Sequence, residues 1–210
     1  MMKSRSTSNG GESESRPKSP LKEYRTMLFI DASNIFLPAK KRGIRIDWIK
    51  LRDLLSRGKF IVQCHYFSAV DERNAGQVRL MNKLRERGFI VHTAPLLFRE
   101  KQLFCVNCGE VQKTVCPNCG TPVTLPPHHS KEIDIRIGMS AILTAQSFDE
   151  LILVSGDRDF LSVVRHLRLA MSKKVVIVSY SENCSYVYRQ EADGIIRFED
   201  IEKEVAYSEK

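Results

Sequence analysis

Leu151-Ile-Leu-Val-Ser-Gly-Asp-Arg-Asp-Phe160 is the stretch from which the fold is read. Four apolar residues stop at Ser155 and Gly156. That run is too short for a helix and is bounded by a turn signal, so it predicts a buried strand. Gly156 lets the backbone turn sharply and leaves room beside the two acids that follow, Asp157 and Asp159. Phe160–Ala170 then reads as a helix. The unit is a strand, an acidic loop and a helix. An earlier stretch, Met27-Leu-Phe-Ile-Asp-Ala-Ser-Asn34, has the same form, with Asp31 ending its strand.

Working outward, the alternation repeats. Ile46–Leu55 has helical spacing with Asp47 as its cap. Phe60–Phe67 is a strand, and Asp71–Arg87 is a charged amphipathic helix closed by Gly88. Phe89–Thr93 is a strand. A helix runs from about Lys131 to Gln146, although Ile133, Ile135, Ile137, Met139 and Ala141 alternate as a strand would. Val175–Ser179 is a strand, a short helix lies near Tyr186, and Ile195–Phe198 is a last strand. Strands alternating with helices predict an α/β fold with a central parallel sheet covered on both faces.

In an open parallel sheet, ligand sites form beyond the carboxyl ends of the strands. Asp31 and the pair Asp157 and Asp159 therefore belong on one edge. Gathered carboxylates stay ionised together when a cation joins them, and oxygen ligands select Mg²⁺ or Mn²⁺. Such an ion supplies a nucleophilic water and neutralises charge developing on a phosphodiester. Helix capping is the competing account. Ser33 or Asn34 would cap a helix after Asp31, and Asp157 or Asp159 the helix from Phe160. Asp134, set among isoleucines in Lys131-Glu-Ile-Asp-Ile-Arg-Ile137, is either metal-bound or in a buried ion pair with Arg136 or Lys131.

Residues 99–127 break the alternation. Cys105-Val-Asn-Cys-Gly109 and Cys116-Pro-Asn-Cys-Gly120 are near-identical turns, with seven residues between Cys108 and Cys116. This spacing predicts a tetrahedral Zn²⁺ site of Cys105, Cys108, Cys116 and Cys119, a small zinc ribbon inserted in the domain. Four thiolates leave no open position, so the zinc is structural. The insertion falls between a strand and the Asp134 helix, at the rim of the acidic edge, where it would clamp RNA, bind a protein or staple a long loop.

The three acidic segments resemble the NYN domain, the LabA-like branch of the PIN nuclease superfamily. The resemblance rests on Asp31 with Asn34, on Lys131 with Asp134, and on Ser155-Gly-Asp-Arg-Asp-Phe160. It implies a Rossmann-like, three-layer PIN fold over residues 26–200 and a Mg²⁺- or Mn²⁺-dependent endoribonuclease. Asp31, Asp134 and Asp157 would face the metal, with Asp159 near or in its shell. Asn34 would orient an acid or touch a phosphate, Lys131 would balance charge beside the site, and Ser155 would hold the loop. Many relatives carry a second acid six residues after the Asp134 position. Ser140 stands there, which leaves one or two metals open and keeps a catalytically weak RNA-binding protein as the alternative.

The net charge of +8 and pI of about 9.2 suit a polyanionic partner. RNA is the expected one, with DNA left open. Lys40, Lys41, Arg42 and Arg45, and Arg158, Arg165 and Arg168, are placed where a phosphate backbone would approach the acids. A solvated face accounts for the arginine stripe equally well. Residues 1–25 carry Lys3, Arg5, Arg16, Lys18, Lys22 and Arg25 against Glu12, Glu14 and Glu23, and read as a disordered basic tail. No apolar run approaches the ~20 residues of a membrane span and the N-terminus lacks a signal core. The expectation is a cytoplasmic protein with no membrane partner, and with a protein partner at the ribbon and a homodimer both open.

Overall fold

The computed structural model describes residues 24–96, 102–113, 115–121, 123 and 131–207. In chain order, β1 is Arg25–Asp31, α1 Ala32–Lys41, α2 Trp48–Leu55, β2 Phe60–Val70, α3 Ala75–Glu86 and β3 Phe89–Pro95. The short strands β4 (Gln102–Phe104) and β5 (Val111–Lys113) pair antiparallel in the insertion. Then follow α4 (Lys131–Leu143), β6 (Glu150–Val154), α5 (Leu161–Arg165), β7 (Lys174–Ser179), α6 (Tyr188–Glu191), β8 (Gly194–Arg197) and α7 (Phe198–Val205).

Six strands form one parallel sheet in the order β3-β2-β1-β6-β7-β8. With the two insertion strands set aside, this is a doubly wound order that reverses between β1 and β6. Successive side chains of a strand point to opposite faces. Leu28, Ile30, Ile152 and Val154 pack on one face with α1, α2, α3 and α7. Met27, Phe29, Leu151 and Leu153 pack on the other with α4, α5 and Tyr188. The expected three-layer arrangement is thus present.

Several boundaries differ from the sequence reading. α3 starts at Ala75, because Asn74 accepts from Gly76 N and Gln77 N while Asp71 binds Arg73. α4 ends at Leu143, and a 3₁₀ turn, Ala145–Ser147, follows. It is buried on one face alone: Ile133, Ile137 and Ala141, four apart, are inside, while Ile135, Met139 and Leu143 are exposed. The alternating isoleucines are therefore two stripes of one helix. The stretch after Asp157 is a 3₁₀ turn (Arg158–Phe160), then α5, then a π-type turn (His166–Ala170). α7 extends past the last expected strand, and Arg25, assigned to the tail, begins β1. Residues 1–23 lie outside the described residues.

The amino edge of the sheet is locked by Glu150, whose residue is 1% exposed. Its carboxylate takes Thr26 Oγ1 at 3.1 Å, Lys174 Nζ at 2.9 Å and Lys59 Nζ. Burial pushes the carboxyl up, but the hydrogen bonds from Lys59 and Lys174 outweigh it and hold it below the usual glutamate range. A depressed folded value stabilises the fold above the ordinary glutamate pKa, and the contribution is lost as pH falls through the folded value. Glu150→Ala is expected to cost about 1–3 kcal/mol at pH 7, at the lower end for a broken buried pair because both lysines reach solvent. Urea melts at pH 7 and pH 3.5 should show the gap between variant and wild type shrinking in acid.

Candidate active site

The sheet reverses where β1 and β6 lie side by side, and both strands end there. Asp31 closes β1 and caps α1, with Oδ1 accepting from Asn34 N at 3.4 Å and from Ser33 Oγ at 2.7 Å. The cap is thus Asp31 itself rather than Ser33 or Asn34. Ser155, directly after β6, donates from Oγ to Asp31 Oδ2 at 3.0 Å and accepts from Asp157 N at 3.3 Å. Asp157 caps the following turn by accepting Asp159 N at 3.0 Å. One serine hydroxyl therefore joins the Asp31 carboxylate to the backbone amide of Asp157, and each of the two residues is also a helix cap.

Asp31 is 4% exposed. Burial is the main force on its carboxyl, pushing it above the usual range. Hydrogen bonds from Ser33, Ser155 and the Asn34 amide pull it back, and the charge of Asp157 pushes it up again. The two carboxylates thus feel each other across the edge. Asp134 and Asp159 line a cleft of about 640 Å³ between α4 and α5, with Gly138, Met139, Phe160 and Val163. Asp134 is half-buried and Asp159 exposed. Arg136, one of the partners weighed for Asp134, donates to Glu132 at 2.6 Å. Lys131 begins α4, and its side chain lies outside the described residues, as do His128 and His129.

Asn34 is turned into the protein. Its Oδ1 accepts Gly156 N at 3.0 Å and Ser179 Oγ at 3.5 Å, and its carbonyl accepts Asn183 Nδ2 at 3.5 Å. It ties α1 to the loops after β6 and β7. Gly156 has no left-handed backbone conformation and is there for space: a Cβ would lie 2.4 Å from Ser179 Oγ, 2.6 Å from Asn183 O and 2.7 Å from Cys184 Cα. Tyr188, fully buried, donates its hydroxyl to Asp157 O. Ser33 sits in a local Asp-x-Ser motif that sequence reading reaches. Ser179, Asn183 and Tyr188 meet the site through tertiary packing alone and leave no local signal.

Of the basic residues, Arg158 is exposed between the two acids and Lys41 is exposed at the end of α1. Arg42 lies over the Tyr180 ring, 4.9 Å from its centre, and 3.9 Å from Glu182. The proposed arginine stripe does not form a free face. Arg165 pairs with Glu191 at 2.7 Å, and Arg168 grips Asp193 with two bonds of 2.8 Å.

The two cysteine turns have one geometry. Gly109 N reaches Cys105 O and Gly120 N reaches Cys116 O, each at 2.8 Å. Both glycines have positive φ, 72° and 69°, as this tight turn demands. Amides of Cys108 and Asn107 hold the Cys105 thiol below its usual range, and Thr121 does the same for Cys119. Such thiols suit a metal.

Among the described residues, no three Cys, His, Asp or Glu side chains gather closely enough to hold a metal ion. For the cysteines, each turn presents two sulfurs, and a metal would be what draws the turns together. For the acids, Mg²⁺ commonly takes one or two carboxylates, with waters and substrate phosphates filling its shell. Asp31 and Asp157 fit that mode: they are all-oxygen donors, mutually repelling, at the sheet's reversal point.

The NYN domain family matches residues 25–200. Among solved structures, VPA0982, a protein of unknown function from Vibrio parahaemolyticus RIMD 2210633, is similar at a TM-score of 0.65 and 19% identity. The match covers 90% of this chain and 100% of that one. At that identity the likeness speaks for the fold alone. The structure of Sir2Tm bound to a propionylated peptide matches at 13% identity over 86% of this chain and 90% of that chain, with a TM-score of 0.37, too low to carry an argument. No curated protein matches. Among the described residues no helix is long and apolar enough to cross a membrane. The matched span and the parallel sheet together place the chain in the NYN domain family, within the PIN-like nuclease superfamily.

Proposed function

We propose that this chain is a Mg²⁺- or Mn²⁺-dependent endoribonuclease acting in the cytoplasm. The observation that carries it is the linkage of Asp31 and Asp157 through Ser155 at the point where the sheet reverses. Asp31 and Asp157 would hold the ion, with Asp134 and Asp159 facing the adjoining cleft as further ligands, directly or through water. When bound, the ion supplies an activated water and neutralises charge on the phosphodiester. Ser155 orients the Asp31 carboxylate and holds the backbone of Asp157, and Asn34 fixes the loop that carries Asp157. Arg158, Lys41, Arg42 and Lys131 would meet backbone phosphates, which carry no base identity. DNA offers the same phosphates and belongs in the test as a second substrate.

The test is cleavage of single-stranded and structured RNA, and of DNA, with Mn²⁺, Mg²⁺ or chelator. Metal-dependent cutting by the wild type and its loss in Asp157→Asn support the reading. Equal cutting by the variant would sink the site assignment. A second reading, RNA binding without cleavage, is favoured by Ser140, whose place on α4 provides no further acid. RNA retained uncut in every metal would select it.

The cysteine insertion is proposed to hold one structural Zn²⁺ on Cys105, Cys108, Cys116 and Cys119. Zinc content near one per chain is expected, and Cys108→Ser should lose the metal, because three thiolates leave the tetrahedron open. Retention of stoichiometric zinc by Cys108→Ser would refute the four-cysteine assignment.

A further inference from the structure

Apart from Ser33, which bonds Asp31, and Lys41, proposed to meet a phosphate, the outward face of α1 has no part in the proposed cleavage chemistry. Ile35, Pro38 and Ala39 turn inward and fill the core. Ser33, Phe36, Leu37, Lys40 and Lys41 share the opposite face, at the spacing that stacks side chains along a helix. Phe36 is 51% exposed and Leu37 47%. The face is continuous with the acids, because Ser33 Oγ touches Asp31 Oδ1 at 2.7 Å. It ends in two lysines, and α1 contains no acidic residue.

We propose that this face is a platform for the unpaired bases of a single-stranded nucleic acid whose backbone crosses the Asp31 and Asp157 edge. The inference rests on the nuclease reading for that crossing point. An exposed aromatic ring beside cations is what sequence-tolerant single-strand binding needs: the ring stacks a base and the cations take phosphates. From Ser33 to Lys40 the helix rises about 10 Å, room for roughly three nucleotides at ~3.4 Å each. A polyanion complements this face. A second copy of it would offer the lysines no carboxylate. A duplex hides the faces of its bases, so Phe36 gains nothing from one. The site then prefers RNA that is unpaired next to the cleaved bond.

The test is fluorescence anisotropy with the full chain in chelator, where RNA stays intact. A 12-nucleotide unpaired RNA is compared with its duplex. Phe36→Ala is expected to weaken single-strand binding roughly 5- to 150-fold, the worth of one stacked base, and to leave duplex binding unchanged. Phe36→Trp should restore binding and Phe36→Leu should not. Lys40→Ala with Lys41→Ala should lower the slope of log K against log salt by about 1.4, for two phosphate contacts on a single strand. Single-strand binding by Phe36→Ala within twofold of wild type would overturn the platform, as would equal loss on both substrates or rescue by leucine. A fall in solution mass on Phe36→Ala would also overturn it, since a second copy would then be the occupant. Cleavage in Mn²⁺ separates the two readings. Cutting that persists while Phe36 proves indifferent leaves the nuclease standing and removes the platform. Phe36-dependent binding with no cutting does the reverse.

Discussion

Asp31→Asn is expected to cut cleavage by on the order of 10²-fold or more and, in the absence of divalent metal, to make the protein more stable. The two effects have one cause. The carboxylate is buried, faces the charge of Asp157, and is held above its usual range by that burial. A raised folded value means that stability is present below the ordinary carboxylate pKa and lost as pH rises through the folded one. At neutral pH the charge therefore costs the fold. Asparagine keeps Oδ1 for Ser33 and the Asn34 amide, and its Nδ2 donates to Ser155 Oγ, whose hydroxyl hydrogen is free to turn. Removal of the charge should then stabilise by about 0.5–2 kcal/mol, the usual range for such relief, or a few degrees in Tm. Cleavage should fall by on the order of 10²-fold or more, since a bound ion is worth several kcal/mol of transition-state stabilisation. Thermal melts with and without Mn²⁺ decide it. Wild type should gain stability from the ion and Asp31→Asn should gain little. A variant that melts below wild type in chelator would show that Asp31 is a structural cap first, and would remove the main physical reason for placing a cation beside it.

A residue that caps a helix and is also proposed to hold a cation shows how much of the site is legible. Strand ends and a Gly-Asp loop are local signals, so Asp31, Ser155, Asp157 and Asp159 could be read directly and placed on one edge. In the sequence, capping and metal binding compete as accounts of these acids, whereas the structure gives Asp31 and Asp157 a capping bond each without removing them from the edge. The parallel sheet was equally legible, because its buried strands are continuous apolar runs. Other features were not. The Glu150 lock draws on Thr26, Lys59 and Lys174, which are far apart in sequence. Arg165 and Arg168 looked like a phosphate stripe because helical spacing says which residues share a face, not what the facing segment carries. Glu191 and Asp193 are that segment. Gly156 reads in the sequence as a sharp turn that leaves room beside the acids; the space it leaves is filled instead by Ser179 and by the loop after β7.

Gly156→Ala is the second large effect, and it tests that constraint. An added Cβ meets three atoms at 2.4 to 2.7 Å, distances that real Cβ atoms do not adopt. One is a rotatable hydroxyl, Ser179 Oγ, but Asn183 O and Cys184 Cα are backbone. Relief must therefore move a strand end or the 183–185 loop. Either movement stretches Gly156 N to Asn34 Oδ1 and Ser185 N to Gly156 O, both 3.0 Å. It also shifts Asp157, which is tied below by Tyr188. Overpacking of this kind costs about 1–3 kcal/mol. Activity should fall further than stability, because a displacement near 1 Å at a reacting centre can cost about 10²-fold. Urea melts together with kcat measured far below the melting temperature separate the two losses. Adding Ser179→Ala removes the shortest contact but neither backbone one, so the double variant should recover little. Full recovery would show that the serine hydroxyl alone crowds Gly156, and that the loop after β7 does not set the position of Asp157.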